Sequence, residues 1–267
     1  MFTGHIPSPL WRQAAVFALT AIVSQVALAE LSNTPMVGAG VRTRAAYDGS
    51  DTQRAEIVPI VRYLDSPLFV RSTQGVLEGG LRLQLARGLH VGGHVAYEPG
   101  RQSSESAFLK GRGIADVDRG ASVGIQAEWD YKIGPMPITL LARTRHHTES
   151  DYGTQVDLRL SAGVFQSRDK RLGLGVFTQT TWADSRSMGA YYGITPEQSA
   201  ATGLTAYSPE GGPVFTSAGL LYSYQLTGDW LLVGNAGARF LYADARRSPL
   251  VQRSTSLFGV IGAAYSF

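Results

Sequence analysis

The chain has 267 residues, 44% of them hydrophobic and 17% charged, and its 24 basic and 21 acidic side chains leave a formal charge of +3. So even a balance gives no argument for a nucleic-acid partner, and with no cysteine present disulfides, thiolate zinc sites and a lipid-anchor thiol are excluded. All the basic residues except Lys110, Lys132 and Lys170 are arginine, which suits cations held in pairs.

Residues 1–29 read as an export signal. Arg12 supplies the positive charge, Ala14 to Val26 is apolar, and Ala27-Leu28-Ala29 is a small-x-small cleavage site before Glu30. The expected mature domain is 30–267, outside the cytoplasm. Beyond Glu30 no run approaches the ~18 apolar residues of a membrane helix. Membrane insertion therefore requires strands, and only a closed barrel satisfies every backbone group in lipid.

Alternating segments of about the 9–11 residues a tilted membrane strand needs follow one another. They fall near 36–47, 54–64, 67–73, 75–86, 89–98, 120–131, 137–147, 153–166, 171–183, 213–226, 230–242 and 254–267, which makes twelve. In 76–86, Leu77, Leu81, Leu83 and Leu85 oppose Glu78, Arg82 and Gln84; in 121–131, Val123, Ile125, Ala127 and Trp129 oppose Ser122, Gln126, Glu128 and Asp130. Aromatics at the ends of apolar faces (Tyr63, Tyr97, Trp129, Tyr131, Trp182, Trp230, Tyr265) form an interfacial girdle. The expected fold is all-β, a transmembrane antiparallel up-and-down barrel of about twelve strands. Short connections such as Asp65-Ser66 and Arg87-Gly88 are periplasmic turns, and 99–119, 184–212 and 243–253 are outward loops. Residues 187–193 have strand-like alternation but are placed in the long loop, because another strand would break even parity.

With the apolar faces toward lipid, the lumen receives Arg42, Arg44, Arg54, Arg62, Arg82, Arg143, Arg145, Arg159, Arg171 and Arg239. Glu56, Glu78, Glu98, Glu128, Asp130 and Asp157 oppose them, leaving a positive excess. Such an interior either holds itself together by cross-strand ion pairs or prefers anions and binds substrate.

The long outward loop is rich in proline and glycine, yet Tyr191, Tyr192, Ile194, Leu204 and Tyr207 are too apolar for a free tip. Thr195-Pro196-Glu197-Gln198 predicts a helix start with a capping box. The loop is expected to fold into the barrel as a plug, with an ordered external cap as the alternative. At the other end, Leu257, Ile261, Ala263, Tyr265 and Phe267 share one face of a terminal strand. That ending resembles the signal read by the outer-membrane assembly machinery, carried by Tyr265 and Phe267.

The loop carries Tyr191-Tyr192-Gly193-Ile194-Thr195, Gln198-Ser199, Thr202-Gly203-Leu204, Tyr207 and Gly211-Gly212. Together with Tyr47-Asp48-Gly49-Ser50-Asp51, Gly100-Arg101, Leu109-Lys110-Gly111-Arg112-Gly113, Ala115-Asp116-Val117-Asp118 and Ser248-Pro249-Leu250, it resembles the MipA/OmpV family. The resemblance spans the mature chain; Lys110-Gly111-Arg112 is more basic than the family pattern, and Thr202 replaces a commoner serine. It implies an outer-membrane barrel, no cofactor, and roles in murein-synthesis scaffolding, adhesion, envelope stress or antibiotic susceptibility. The implied partners are lipid, lipopolysaccharide, the assembly machinery, a murein lytic transglycosylase and a murein synthase.

The enzyme-like cluster is His146-His147-Thr148-Glu149-Ser150-Asp151 at an outward rim. Adjacent residues on a strand face opposite ways, so only His147 joins Arg143 and Arg145. His90 and His94 share a face but lie ~13 Å apart along a strand, too far for one metal. No catalytic or metal residue is assigned. The expected function is a non-catalytic envelope scaffold; a narrow pore or binding barrel for small solutes, antibiotics included, comes second, and a rim hydrolase third.

Overall fold

A computed structural model describes residues 34–267; the expected export signal lies outside the described residues. The strands are β1 (Met36–Ala45), β2 (Gln53–Tyr63), β3 (Leu68–Thr73), β4 (Val76–Leu81), β5 (Leu83–Ala86), β6 (Leu89–Glu98), β7 (Gly120–Ile133), β8 (Met136–His147), β9 (Thr154–Gln166), β10 (Leu172–Ala183), β11 (Gly212–Thr227), β12 (Trp230–Leu241) and β13 (Thr255–Ser266). They form one sheet in which every printed pairing is antiparallel, and β4 and β5 are one stave interrupted at Arg82, so there are twelve staves. The barrel closes where β1 meets β13, from Met36↔Ser266 to Thr43↔Gly259. Both termini of the barrel thus lie at the end carrying the two-to-five-residue turns, which in such barrels is periplasmic.

Even-numbered residues of β1 and β2 and odd-numbered residues of β8 to β12 face inward, as the period-two pattern requires. The outer face is a continuous apolar belt in which Ile57 is 83% exposed and Ile125 and Leu257 are each 69% exposed. A patch of this extent marks a lipid-facing surface. No described helix is long and apolar enough to cross a membrane, so strands do the crossing.

The structure departs from the sequence reading in three places. Residues 187–193 lie not in irregular loop but largely in α1 (Ser185–Tyr192), because the Asp184 carboxylate caps Ser187 N–H at 2.8 Å. Its Met188 and Tyr192 then stack four residues apart into a cluster with Val214, Phe215 and Leu241. Second, a short α3 (Ala243–Arg247) opens the last outward loop. Third, Arg171 is not in the lumen. It precedes β10 and is exposed, and its guanidinium donates to Gln225 O at 3.1 Å and Leu226 O at 2.6 Å. The predicted capping box is present: α2 (Pro196–Thr202) starts with Gln198 N–H donating to Thr195 Oγ1 at 3.2 Å and Thr195 N–H donating to Gln198 Oε1 at 3.0 Å.

Glycines at inward positions let neighbouring strands approach. A side chain at Gly92 would meet Leu81 O at 1.7 Å, and one at Gly80 would meet Gly93 O at 2.1 Å. Gly92→Val is expected to cost at least ~2 kcal/mol through backbone displacement, whereas Gly212→Ala, with nothing within 4 Å, is expected to be neutral. Urea unfolding and heat-dependent gel mobility of the two variants check this.

Candidate functional site

The lumen has two halves. On the β3-to-β9 side, arginines and carboxylates alternate across the interior rather than only along the ladder. Glu78, buried on β4, accepts from Arg71 of β3 and from Arg143 of β8. Arg71 also donates to Glu128 of β7, which Arg82 reaches at 2.7 Å; Arg82 holds Asp130 as well, at 2.9 Å. Asp157 of β9 takes Arg143 at 2.8 Å, Arg145 at 2.9 Å and the Thr181 hydroxyl at 2.6 Å. Arg145 ends the chain on Glu98 at 2.8 Å, where Ser122 Oγ also donates at 2.7 Å. In the order of staves β6 and β7 separate β4 from β8, so the Glu78–Arg143 pair is a chord through the lumen.

The other half, on β1, β2 and β11 to β13, is apolar: Met36, Val58, Leu221, Leu231, Val233 and Val260 are buried there. Arginines face it with their planes. Arg159 lies 4.2 Å over the Phe177 ring and Arg239 lies 4.0 Å over Phe215. Stacking of this kind accommodates a cation against an apolar wall.

Above the braces, toward the outward mouth, sits a cavity of about 180 Å³ lined by Arg42, Arg44, Asp48, Glu98, Arg101, Arg143, Arg145, Tyr191, Tyr192, Phe215, Arg239 and Phe258, among others. Glu56 pairs with both Arg42 and Arg44 at 2.7 Å, and Asp48 pairs with Arg239. Arg101 differs. It is 3% exposed and donates to two carbonyls, Tyr191 O and Ala115 O, while its Nε has no hydrogen-bond partner among the described residues. Burial pushes its guanidinium below the usual arginine value. Burial likewise pushes the Tyr47 phenol up to about 12 and raises Tyr191 and Tyr192, so these hydroxyls stay neutral.

Of the predicted lumen residues, Arg42, Arg44, Arg82, Arg143, Arg145, Arg159, Glu78 and Glu128 all face inward, and Tyr191 and Tyr192 line the cavity. Tyr207 ties the loop to α3 by donating to Asp244 O at 2.9 Å; Gly193 closes α1, and Gln198 and Ser199 sit in α2, away from the cavity lining. Tyr265 and Phe267 are exposed at the lower rim, and Tyr265 meets Trp230 edge-on at 5.7 Å. Arg71, the centre of the braces, is missing from the sequence reading because the short β3 has too few alternations to assign its faces. His147 is buried beside Tyr152, with Glu149 N–H on its Nδ1 at 3.3 Å. His90, Glu128 and Asp130 bring ligand atoms within 4.8 Å of one another, but Arg82 already holds both carboxylates.

A closed antiparallel barrel with an apolar belt, aromatic girdles and a charged lumen defines an outer-membrane β-barrel protein, and the outer membrane is where it resides. The family model described as MltA-interacting protein MipA matches residues 37–267, and the chain belongs to that family. No curated protein matches the chain. Among solved structures, the COG4313 outer membrane channel from Pseudomonas putida F1 is similar at 12% identity and TM-score 0.50, over 88% of this chain and 96% of that one. Pseudomonas putida OprB in its high-pH structure is 13% identical with TM-score 0.40, over 80% of this chain and 59% of that one. The outer membrane channel DcaP of Acinetobacter baumannii is 14% identical with TM-score 0.36, over 99% of this chain and 68% of that one. These likenesses bear on the fold alone.

The braces generate a sharp stability prediction. Glu78→Gln strands Arg71 and Arg143 in a buried site and is expected to cost ~3–5 kcal/mol. Arg247→Gln, which removes an exposed pair with Asp244, is expected to change stability by less than ~1 kcal/mol. Denaturant midpoints of the folded barrels check the contrast.

Proposed function

We propose that this protein is a non-catalytic envelope interaction protein, a rigid barrel that anchors a complex with a murein lytic transglycosylase and a murein synthase. The observation that carries the reading is the set of ion-pair chords through the lumen, which suits a rigid anchor better than a conduit. The family's description, MltA-interacting protein, names the kind of partner. The turns on the periplasmic side are short: Gly134-Pro135 joins β7 to β8, and Gly228-Asp229 joins β11 to β12. Contact with a soluble enzyme would therefore use the whole lower rim, including Arg171, Trp230 and Tyr265. Tyr265 and Phe267 serve as the assembly signal, and lipopolysaccharide and lipid surround the outer face. In this reading the His147 cluster has no catalytic task, since its imidazole is buried against Tyr152 without a paired nucleophile.

A second reading, a binding barrel for a small solute, is favoured by the arginine-lined cavity beneath α1. The loop 184–212 then acts as a lid over the mouth, with Tyr191 and Tyr192 as its inner surface.

Two experiments separate these readings. Affinity capture from mildly cross-linked envelopes, with another abundant barrel as control, is expected to enrich murein hydrolases or synthases; recovery of lipopolysaccharide and assembly factors alone would remove the scaffold. Deleting 194–212 is expected to raise ion conductance if the loop is a lid, and unchanged conductance in a folded variant would remove that role.

A further inference from the structure

The barrel wall is incompletely paired on one side. β2 meets β3 at only two rungs, Arg62↔Arg71 and Tyr63↔Val70. Just above them, Val61 N–H donates to Ser72 Oγ at 2.8 Å, so odd-numbered residues of β2 turn their backbone groups toward β3 and even-numbered ones toward β1. From Gln53 to Ile60 the β3-facing edge has no strand partner among the described residues. Across the gap, β6 pairs with β4 only as far as Ala96, opposite Glu78, which leaves Tyr97 and Glu98 beyond that ladder. Below, β3 and β4 turn back early at Gln74-Gly75, where Arg42 donates to Gln74 O at 3.0 Å. Above, the turn Ser103–Glu105 is gripped by Arg54 of β2 through Glu105. The result is a window in the wall.

Pro59 sits at an odd position, so the N–H it lacks would have pointed into the gap; a proline inside a paired stave would break the ladder. Ile57, beside the same edge, is among the most exposed apolar residues, which puts the window at the level of the lipid belt. An open sheet edge is not tolerated against lipid tails, but it is tolerated where it lines a cavity. A cavity of about 60 Å³ begins at Pro59, Val61 and Gln74 and reaches Val58, Val233 and Val260 inside. It shares Gln74 and Val260 with the arginine-lined cavity. Asn235 Oδ1 and Gln74 Nε2, both buried, lack hydrogen-bond partners among the described residues.

We propose that this window is a side entrance from the outer leaflet and that the joined cavities bind a single-chain anionic amphiphile. Its tail lies against Val58, Val233 and Val260, and its carboxylate or phosphate meets Arg101, the buried cation held only by carbonyls. Edge-to-edge pairing with a second copy is disfavoured because Pro59 removes a donor from the middle of the edge. The proposal deepens the binding reading and rests on it.

The test uses the full mature barrel in liposomes and a diazirine-bearing fatty acid as probe. Photolabelling is expected at Val58–Arg62 and Gln74, competed by laurate, resisted by dodecanol and inorganic phosphate, and reduced at least fivefold in both Arg101→Gln and Val58→Trp. Heat-dependent gel mobility verifies that each variant folds; the pocket-filling Val58→Trp carries the test should Arg101→Gln fail to close its loops. Competition by lysophosphatidylglycerol but not laurate would assign the head group to a phosphate source, still within the proposal. Labelling spread evenly over the outer belt, or Ile57→Cys forming disulfide-linked dimers that abolish labelling, would overturn it. Thermal stabilisation by a soluble anion without wall labelling would overturn the side entrance while leaving the binding reading in place.

Discussion

Everything in this barrel depends on Glu78 being held between Arg71 and Arg143. A carboxylate and two guanidiniums taken out of water carry a large desolvation penalty, and only close, multiply hydrogen-bonded pairing offsets it. Arg71 passes the constraint to Glu128 and Arg82, and Arg143 passes it to Asp157, Arg145 and Glu98. One connected network therefore joins β3, β4, β6, β7, β8 and β9 from inside. Its charges nearly balance, so the positive excess of the lumen resides elsewhere, around the upper cavity. Mechanical bracing and ligand recognition are thus assigned to different depths of the same interior.

The upper cavity owes its shape to the outward loops rather than to the staves. Tyr47 donates to Leu250 O at 2.8 Å, and Ser248 Oγ donates to Tyr192 O at 2.6 Å. These bonds tie the first and last outward loops to α1. Leu109, Ile114, Ile194 and Leu250 then pack beneath them as a small apolar core outside the barrel. Such packing fixes Tyr191 and Tyr192 over the arginines, and it explains why motifs far apart in the chain converge on one mouth.

The staves were legible in the sequence because lipid on one side and charge on the other impose a strict period of two. Leu77, Leu81 and Leu83 against Glu78 and Arg82 could be read in no other register. The capping box at Thr195 was legible for a local reason, since all its partners lie within four residues. What the pattern hid was the apolar half of the lumen. In β11 to β13 both faces carry small or apolar residues, so Leu221, Val233 and Val260 gave no sign of facing inward. Arg171 misled for the opposite reason, being one residue outside the strand whose alternation it seemed to obey on paper. Arg71 and Arg101 needed three-dimensional partners to be recognised at all: one lies on a short strand, and the other in a loop whose chemistry comes from burial. The short pairing of β2 with β3 is likewise invisible in sequence, although Pro59 was its one local mark.

The central claim is that the arginine–carboxylate chords, not the loops alone, close the lumen. Single-channel recording of the wild-type barrel beside the Arg71→Ala/Arg143→Ala double variant in planar bilayers tests it most directly. The account predicts a wild type without sustained open-pore conductance and a folded double variant with clear, stepwise conductance. A wild type that conducts steadily, or a folded double variant that stays as closed as its parent, would contradict it.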